Sequence, residues 1–281
     1  MTALWRRRPV GIVGLGLIGG SLGLDLRAAG AEVHALVHRQ ATAERAQARG
    51  LADRISTDPA VLADCGLVVL ALPIDRLLQP EPALVAALPA QAVVTDVGSV
   101  KQPVLRLWGG LLGPRFVASH PMAGTAQAGV EAGELGLFAG RAWVATPAHD
   151  TSAIALEAVH DLAVELGARW LLCDAAEHDR VVALISHLPV LLGAALLQSA
   201  ASGGDLARSL ASSGFADTSR VGAGNPELGS LMAQGNREAL LDALAVYRKA
   251  LQRLEEHVQQ SDWSALRQDL ERSKKLRPEF L

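Results

Sequence analysis

The chain has 281 residues, of which 50% are apolar, and it carries a formal net charge of −3 with an isoelectric point near 6.2. This length predicts one large or two modest domains, and the apolar fraction is ample for packed cores; two domains fit the pattern better. The slightly acidic charge argues against a nucleic-acid-binding protein, which would carry an excess of Lys and Arg.

A glycine-rich turn follows the first predicted strand. The apolar run Val10–Val13 leads directly into the glycine-rich residues 14–19, and an apolar helical segment continues to about Gly30. In a dinucleotide-binding fold, the first glycine makes the turn, the second lets the backbone approach a pyrophosphate, and the third packs helix on strand. The helix N-terminus then offers free N–H groups to the phosphates. A purely structural turn is the alternative. The predicted cofactor-binding residues here are Gly14, Gly16, Leu17, Ile18 and Gly19.

The end of the second predicted strand, residues 32–38, indicates which dinucleotide binds. NAD-binding domains usually have Asp or Glu there for the ribose 2′-hydroxyl, whereas NADP-binding domains have Arg or a small polar group. This chain has His38 and Arg39 and no carboxylate. Because a guanidinium binds phosphate through two hydrogen bonds, we predict NADP as the cofactor. Alternatively, Arg39 only begins the next helix on a solvated face.

Further apolar runs predict more strands at residues 67–72, 92–96, 116–119 and 143–146, with helical segments between several of them. This alternation is typical of a doubly wound, Rossmann-type α/β sheet, whose ligands bind beyond the carboxyl ends of the strands. Leu72, Pro73 and Asp96 follow or end predicted strands, so we assign them to the cofactor site.

His120 lies just beyond a predicted strand of this sheet, where an imidazole can take a proton while a cofactor takes a hydride. Ser99 could hydrogen-bond that imidazole and fix its tautomer, or cap the next helix, or do both. Lys101 could reach an anionic group of a substrate or only decorate the first helical turn.

Beyond residue 174 the sequence has only helical periodicity and loops, so we predict domains at 1–174 and 175–281. The segment 176–199 is apolar nearly all round, which predicts a buried helix. One long helix carries an apolar stripe formed by Leu240, Leu244, Tyr247, Leu251, Leu254 and Val258. A domain of this size cannot easily bury so much apolar surface alone, so we predict a homodimer through these helices.

Two polar residues of the helical half are candidates for substrate binding. His187 is either a core histidine or faces the cofactor across a cleft, where Pro189 would open the helix. Arg220 either pairs with Asp217 or binds a substrate carboxylate.

The two cysteines, Cys65 and Cys173, are far apart and lack His or Cys neighbours at metal-ligand spacing, so we predict reduced thiols and no metal site. The sequence has no evident secretory signal, and the apolar stretch 181–197 is interrupted and short for a membrane span. We therefore expect a cytoplasmic protein without a membrane partner.

Six segments, taken in order and spacing, resemble the prephenate and arogenate dehydrogenases of tyrosine biosynthesis over nearly the whole chain. They are GLGLIGGSL, ALP, VVTDVGSVK, SHPMAGT, HDRVVALISHLP and GFADTSRVGAGNPEL. The later segments are much more specific than the glycine turn. The resemblance implies a two-domain NAD(P)-dependent oxidoreductase that decarboxylates its substrate as it oxidises it.

The resemblance also implies roles for four residues. His120 would bond the 4-hydroxyl of a cyclohexadienyl ring with help from Ser99, His187 would be a second active-site histidine, and Arg220 would bind a substrate carboxylate. Relatives that use prephenate can carry Glu six positions after the catalytic histidine, where this chain has Ala126, and residues 124–129 look more like the NADP-preferring arogenate branch. We predict an NADP-dependent arogenate dehydrogenase, with prephenate as the alternative substrate.

Two other functions fit parts of the sequence. A β-hydroxyacid dehydrogenase would need a lysine base in its helical domain, but the lysines past residue 101 all lie in late helices: Lys249, Lys274 and Lys275. A non-catalytic NADP sensor would need the glycines and Arg39 but not His120 or Arg220.

Overall fold

The computed structural model describes residues 7–125 and 127–280. Ala126, on which the substrate comparison partly depends, lies outside the described residues. The first half of the chain forms an eight-stranded sheet. Its strands are β1 (Val10–Val13), β2 (Val33–Leu36), β3 (Arg54–Ser56), β4 (Leu67–Leu70), β5 (Val93–Asp96), β6 (Phe116–Pro121), β7 (Ala142–Thr146) and β8 (Arg169–Leu172).

The strands lie in the order β3-β2-β1-β4-β5-β6-β7-β8, and the first six are parallel, as in a Rossmann fold. This confirms the predicted doubly wound sheet. Two features were not predicted: β3, which has only three residues, and the reversal at β7, which pairs antiparallel to β6 while β8 pairs parallel to β7.

Helices cover both faces of the sheet, which explains why its strands are continuous apolar runs. Successive side chains alternate between two cores: Val10 and Ile12 of β1 belong to one, and Val13 belongs to the other. The helices of this half are α1 (Leu17–Ala28), α2 (Gln40–Ala48), α3 (Ile74–Leu78), α4 (Pro82–Ala87), α5 (Gln102–Leu112) and α6 (Ala153–Glu165).

The second half is helical, as predicted, and packs around a small core of Ala183, Leu188, Leu240 and Ala243. Its helices are α7 (Ala175–Val182), α8 (Leu188–Ala201), α9 (Gly204–Leu210), α10 (Ser213–Ser219), α11 (Pro226–Gly235), α12 (Arg237–Gln259) and α13 (Trp263–Phe280).

The longest apolar helical stretch, Ala175–Ala201, is largely uncovered within one chain. Its most apolar 18-residue window has a mean hydropathy of 2.0, and only 28% of that window is buried. Burial of this helix, as the sequence predicts, would therefore need the partner subunit that was predicted with it, because the small helical core of one chain covers only one side. Within the described part of the chain this is the one helix long and apolar enough to span a membrane, although its first turns carry the charged Asp179 and Arg180.

The apolar stripe predicted on α12 is also only partly covered. Leu240 is buried at the start of the helix, but Leu251 is 49% exposed and Val258 is 51% exposed near its end. The uncovered parts of α8 and α12 are the apolar surface that the sequence analysis assigned to a partner subunit.

Candidate active site

The three glycines of the first turn meet three different steric demands. Gly14 has φ +95°, and a Cβ there would lie 2.4 Å from the Ala71 carbonyl oxygen. A Cβ at Gly19 would lie 1.9 Å from the Gly14 carbonyl oxygen, so helix and turn can pack only without it. At Gly16 a Cβ would have no neighbour within 4 Å. The turn is thus closed on the protein side and open at Gly16, which fits a pyrophosphate lying against its backbone.

Leu17 and Ile18 form the first turn of α1, and Gly16 is the residue that precedes it. The first turn contains no acidic residue, so its free N–H groups face no competing negative charge from their own helix. Leu72 is partly buried and Pro73 is exposed after β4, next to the glycine turn. These residues fit one wall of a dinucleotide cleft.

His38 and Arg39 are both exposed at the end of β2, and Arg39 is the residue that precedes α2. Throughout residues 7–125 and 127–280, no acidic side chain forms an ion pair with either of them. The Arg39 guanidinium is therefore available to an anion at the edge of the cofactor cleft.

Asp96, the last residue of β5, and Lys101, just before α5, form a fully buried ion pair. The Asp96 carboxylate also accepts hydrogen bonds from the backbone N–H groups of Gly98 (2.8 Å) and Ser119 (3.1 Å), and the Lys101 ammonium donates to the Ser119 carbonyl oxygen (2.6 Å). Burial raises the pKa of Asp96 and lowers that of Lys101, while their mutual attraction acts against both shifts.

This pair corrects two sequence predictions. Both side chains are fully buried and each is the counter-ion of the other, so Asp96 is not exposed at the predicted cofactor site and Lys101 is not on a surface turn. Their contacts fix Ser119, the residue before His120, against β5. The pair therefore supports the position of His120 and does not line the site itself.

His120 lies within β6, one residue before its end, so the sequence prediction that put it beyond the strand was off by two residues. The ring is partly exposed, and its Nδ1 lies 3.0 Å from Nε2 of His178, with the two rings edge to face. Burial lowers the pKa of His120 well below 6.5, and the nearby charges of His178, Lys101 and His187 act in the same direction. A neutral imidazole with a low pKa at neutral pH is a proton acceptor.

Asp179 connects the helical half to the sheet. Its carboxylate accepts hydrogen bonds from the backbone N–H groups of Lys101 (2.7 Å) and Gln102 (2.9 Å) at the start of α5, and its Oδ1 lies 2.8 Å from Nδ1 of His178. The N-cap position of α5 is Lys101, not Ser99, and the cap comes from a distant helix.

The predicted contact between Ser99 and His120 is absent. Ser99 is partly buried in the loop between β5 and α5, and no hydrogen bond of the described residues joins it to His120. His178 takes that place beside the imidazole. His178 and Asp179 were not among the predicted site residues, although they begin the segment HDRVVALISHLP that carries part of the resemblance.

His187 ends a five-residue π-helical turn, Ala183–His187, two residues before Pro189. The predicted break at the proline is confirmed as this distortion, since proline lacks an N–H and cannot continue the regular hydrogen bonding. In a regular α-helix, His178 and His187 would point roughly 180° apart, and the wider turn changes that phase. Both side chains lie close enough to His120 to affect its pKa.

The tautomer of His187 follows from its neighbour. The Asn236 side-chain amide donates to the Asp179 carbonyl oxygen (2.8 Å) and lies 3.1 Å from Nδ1 of His187, so Nδ1 accepts and Nε2 carries the proton. That Nε2 is buried and has no partner within the described residues. Burial lowers the pKa of His187 to about 4, against the opposing effect of Asp179. Nothing in the sequence marked Asn236, which is brought here from the start of α12.

Arg220 follows α10 and lines a cavity of about 430 Å³ together with residues of the segments 122–125 and 134–141. The cavity begins two residues after His120. The predicted alternative, an ion pair with Asp217, is not formed, and in the described part of the chain the exposed guanidinium has no carboxylate partner. Within the described residues, the structure thus places an imidazole of lowered pKa near the buried Nε2 of His187, and it places an unpaired guanidinium at a cavity that begins two residues further along the chain.

Comparison with known proteins identifies this arrangement. The profile of the prephenate dehydrogenase nucleotide-binding domain matches residues 22–172, and that of the prephenate dehydrogenase dimerization domain matches residues 174–272. The cyclohexadienyl dehydrogenase of Zymomonas mobilis is 30% identical over 278 residues, which cover 96% of this chain and 95% of that protein.

Two solved structures share the whole architecture. Arogenate dehydrogenase from Synechocystis is 40% identical with a TM-score of 0.81, covering 97% of this chain and 100% of the other. Prephenate dehydrogenase from Aquifex aeolicus, solved with hydroxyphenyl propionate and NAD+, is 27% identical with a TM-score of 0.91 and 98% coverage of both chains. The chain belongs to the prephenate dehydrogenase family of oxidoreductases, with a nucleotide-binding domain followed by a dimerization domain.

Proposed function

We propose that this chain is an NADP-dependent arogenate dehydrogenase, which converts arogenate to tyrosine and carbon dioxide. The observation that carries the reaction type is the partly exposed imidazole of His120, whose pKa is lowered and whose strand ends beside the cavity that holds Arg220. Prephenate is the alternative substrate.

In this mechanism His120 accepts the proton of the ring hydroxyl as that carbon is oxidised to a carbonyl. The bound nicotinamide supplies the hydride acceptor. The bond between the ring and its carboxylate then breaks, carbon dioxide leaves, and the bonding electrons make the ring aromatic and the oxygen a phenolate. His120 returns the proton to that oxygen, so the imidazole is neutral at the start and at the end.

Two other side chains orient the substrate. His187 offers the Nε2–H, buried and unpartnered within the described residues, as a donor to an oxygen of the ligand, and an unsatisfied buried donor costs about 1–3 kcal/mol, so binding of an acceptor relieves that cost. Arg220 binds a carboxylate of the substrate. Ser99, whose hydroxyl has no partner in the described structure, is left as a residue for contacts with bound ligands.

The preference for NADP rests on the end of β2. The exposed side chains of His38 and Arg39 stand where an acidic residue would bind the 2′-hydroxyl of NAD, and Arg39 has no ion pair in the described residues. The glycine turn, with Leu72 and Pro73, would hold the rest of the cofactor. The Aquifex aeolicus relative was solved with NAD+.

The preference for arogenate rests on likeness alone. The Synechocystis arogenate dehydrogenase is 40% identical to this chain, against 27% for the Aquifex aeolicus prephenate dehydrogenase. From the sequence, residues 124–129 supported the same choice, in particular Ala126, which lies outside the described residues. The substrates differ only in whether the side chain is an amino acid or a keto acid.

Initial rates with arogenate and prephenate, each paired with NADP and NAD, test the proposal. We expect the highest kcat/KM for arogenate with NADP. Arg39→Asp should weaken NADP and favour NAD, whereas Arg106→Ala, an exposed arginine on α5, should change neither. Activity with prephenate alone would refute the substrate, and a wild-type preference for NAD would refute the role of Arg39.

We also propose that the chain acts as a homodimer through the uncovered faces of α8 and α12 in its dimerization domain. Leu251→Glu places a charge in this surface and should shift the protein toward monomer in sedimentation velocity. Ile154→Glu, at an exposed position of α6 in the other domain, should not. A monomeric wild-type protein would exclude the dimer.

A further inference from the structure

We infer that His178 and Asp179 are positioning residues that hold neutral His120 in the tautomer with a proton on Nδ1 and a free lone pair on Nε2. This inference rests on the proposed function only in taking His120 as the base. The inference is based on a continuous series of contacts that runs from Asp179 through His178 to His120.

This series of contacts is anchored at Asp179. The carboxylate accepts one backbone N–H at each oxygen, from Lys101 to Oδ1 and from Gln102 to Oδ2, at the start of the eleven-residue helix α5. An ionised carboxylate is an acceptor only, and both oxygens of Asp179 already accept backbone N–H groups. The 2.8 Å contact between Asp179 and Nδ1 of His178 therefore has the histidine as donor.

The tautomers of both histidines then follow from donor and acceptor counting. A neutral imidazole has one N–H and one lone pair. With its proton on Nδ1, His178 presents a lone pair on Nε2, and His120 must donate its own Nδ1–H across the 3.0 Å contact. The second nitrogen of His120, Nε2, is left as the proton acceptor.

The same hydrogen bonds connect His120 to a carboxylate. Lys101 and His187 face His120 and disfavour its cation, as does any positive charge on His178, whereas the Asp179 carboxylate, reached through His178, is the group that would favour the cation. Asp96, the remaining acid near this cluster, is already paired with Lys101. Removal of this series of contacts should therefore impair proton transfer more than substrate binding.

This arrangement also couples the two halves of the molecule. His120 belongs to the sheet, whereas His178 and Asp179 belong to α7 and reach the sheet through the start of α5. Asn236 of α12 fixes the Asp179 backbone from the other side. The base is in its active tautomer only when the helical half is docked on the nucleotide-binding half.

Nitrogen-15 NMR of histidine-labelled protein tests the tautomer without any substrate, because protonated and unprotonated ring nitrogens have well-separated shifts. The signals of His120 are assigned by their loss in His120→Asn. Above pH 7 we expect His120 to carry its proton on Nδ1 in the wild type and to lose this single tautomer in His178→Leu. A proton on Nε2 of wild-type His120 would overturn the inference.

Kinetics with whichever cyclohexadienyl substrate the wild type oxidises give the second measurement. His178→Leu should lower kcat by about 10²- to 10⁴-fold, the usual contribution of a positioned base, with KM changed less than about threefold. His178→Gln, whose amide oxygen can accept from His120, should recover at least about tenfold of that loss. A kcat of His178→Leu within twofold of wild type, or no recovery with Gln, would contradict the inference.

His34→Gln is the matched control, because His34 is also buried with contacts at both ring nitrogens but lies in β2 against Val61 and Glu32. It should lower Tm while leaving kcat and the His120 tautomer unchanged. If the wild type oxidises neither arogenate nor prephenate, the proposed function fails, and the NMR result still decides the inference.

Discussion

Replacing Lys101 with Met removes the cation of a buried ion pair while keeping the length of the side chain. Asp96 would then be a fully buried carboxylate with two backbone donors and no counter-ion. Loss of one partner of a buried pair costs about 3–5 kcal/mol. In a chain of this size about 1 kcal/mol lowers Tm by roughly 2–4 °C, so we expect a fall of about 6–20 °C.

The pH dependence of this loss has a definite sign. Burial raises the pKa of Asp96 in the folded protein, and the variant lacks the lysine that opposes this shift. A carboxyl whose folded pKa lies above its unfolded pKa contributes stability at low pH that is lost as the pH rises through the folded pKa. The deficit of Lys101→Met relative to wild type should therefore be smaller at pH 5 than at pH 8.

Thermal unfolding at several pH values and steady-state kinetics together show whether Lys101 stabilises the fold through Asp96 or binds the substrate. Lys249→Met, on the exposed side of α12, is the control and should change Tm by less than about 2 °C, as surface substitutions usually do. A Lys101→Met protein with wild-type Tm and a greatly raised KM would refute the role of the buried pair and would support the hypothesis that Lys101 contacts the substrate directly.

Three further predictions concern the site. Because the pKa of His120 lies well below 6.5, kcat/KM should stay level from pH 8 to 6.5 and fall only at lower pH, as the base becomes protonated; a fall that begins above pH 7 would contradict this. Gly16→Ala should fold with a wild-type Tm but bind cofactor more weakly. Gly19→Ala should fail to fold stably, because its Cβ would lie 1.9 Å from the Gly14 carbonyl oxygen. Differential scanning fluorimetry with and without NADP distinguishes the two variants, and equal behaviour would disprove the assigned roles. Arg220→Lys should raise KM about tenfold or more because the ammonium cannot form the two parallel bonds of a guanidinium, and an unchanged KM in the same rate assay would remove Arg220 from the substrate site.

Local patterns in the sequence were sufficient for most strands of the sheet and for the glycine turn. The alternation of buried strands with helices predicted parallel strands, because period and turn residues are local properties, but it predicted neither β3 nor the reversal at β7. The steric demand at Gly19 is equally local, because its close neighbour is the Gly14 carbonyl oxygen, whereas the demand at Gly14 comes from Ala71, which follows β4. Family membership followed from six segments whose order survives without any knowledge of contacts.

The hydrogen-bond network around His120 could not be read in the same way. His178, Asp179 and Asn236 lie 58, 59 and 116 residues after His120 along the chain (178 − 120, 179 − 120 and 236 − 120), so no spacing rule connects them to it. The residues next to Lys101 in the sequence gave no sign that its side chain would be buried together with Asp96, so Lys101 resembled a surface cation.

Residue type and local periodicity were therefore enough to predict the fold class, the cofactor turn and His120 as the candidate base. The tertiary structure decided how the base is held, because a tautomer depends on which donor faces which acceptor across two domains. It likewise decided that Asp96 and Lys101 support the site from inside, since burial is a property of the packed chain.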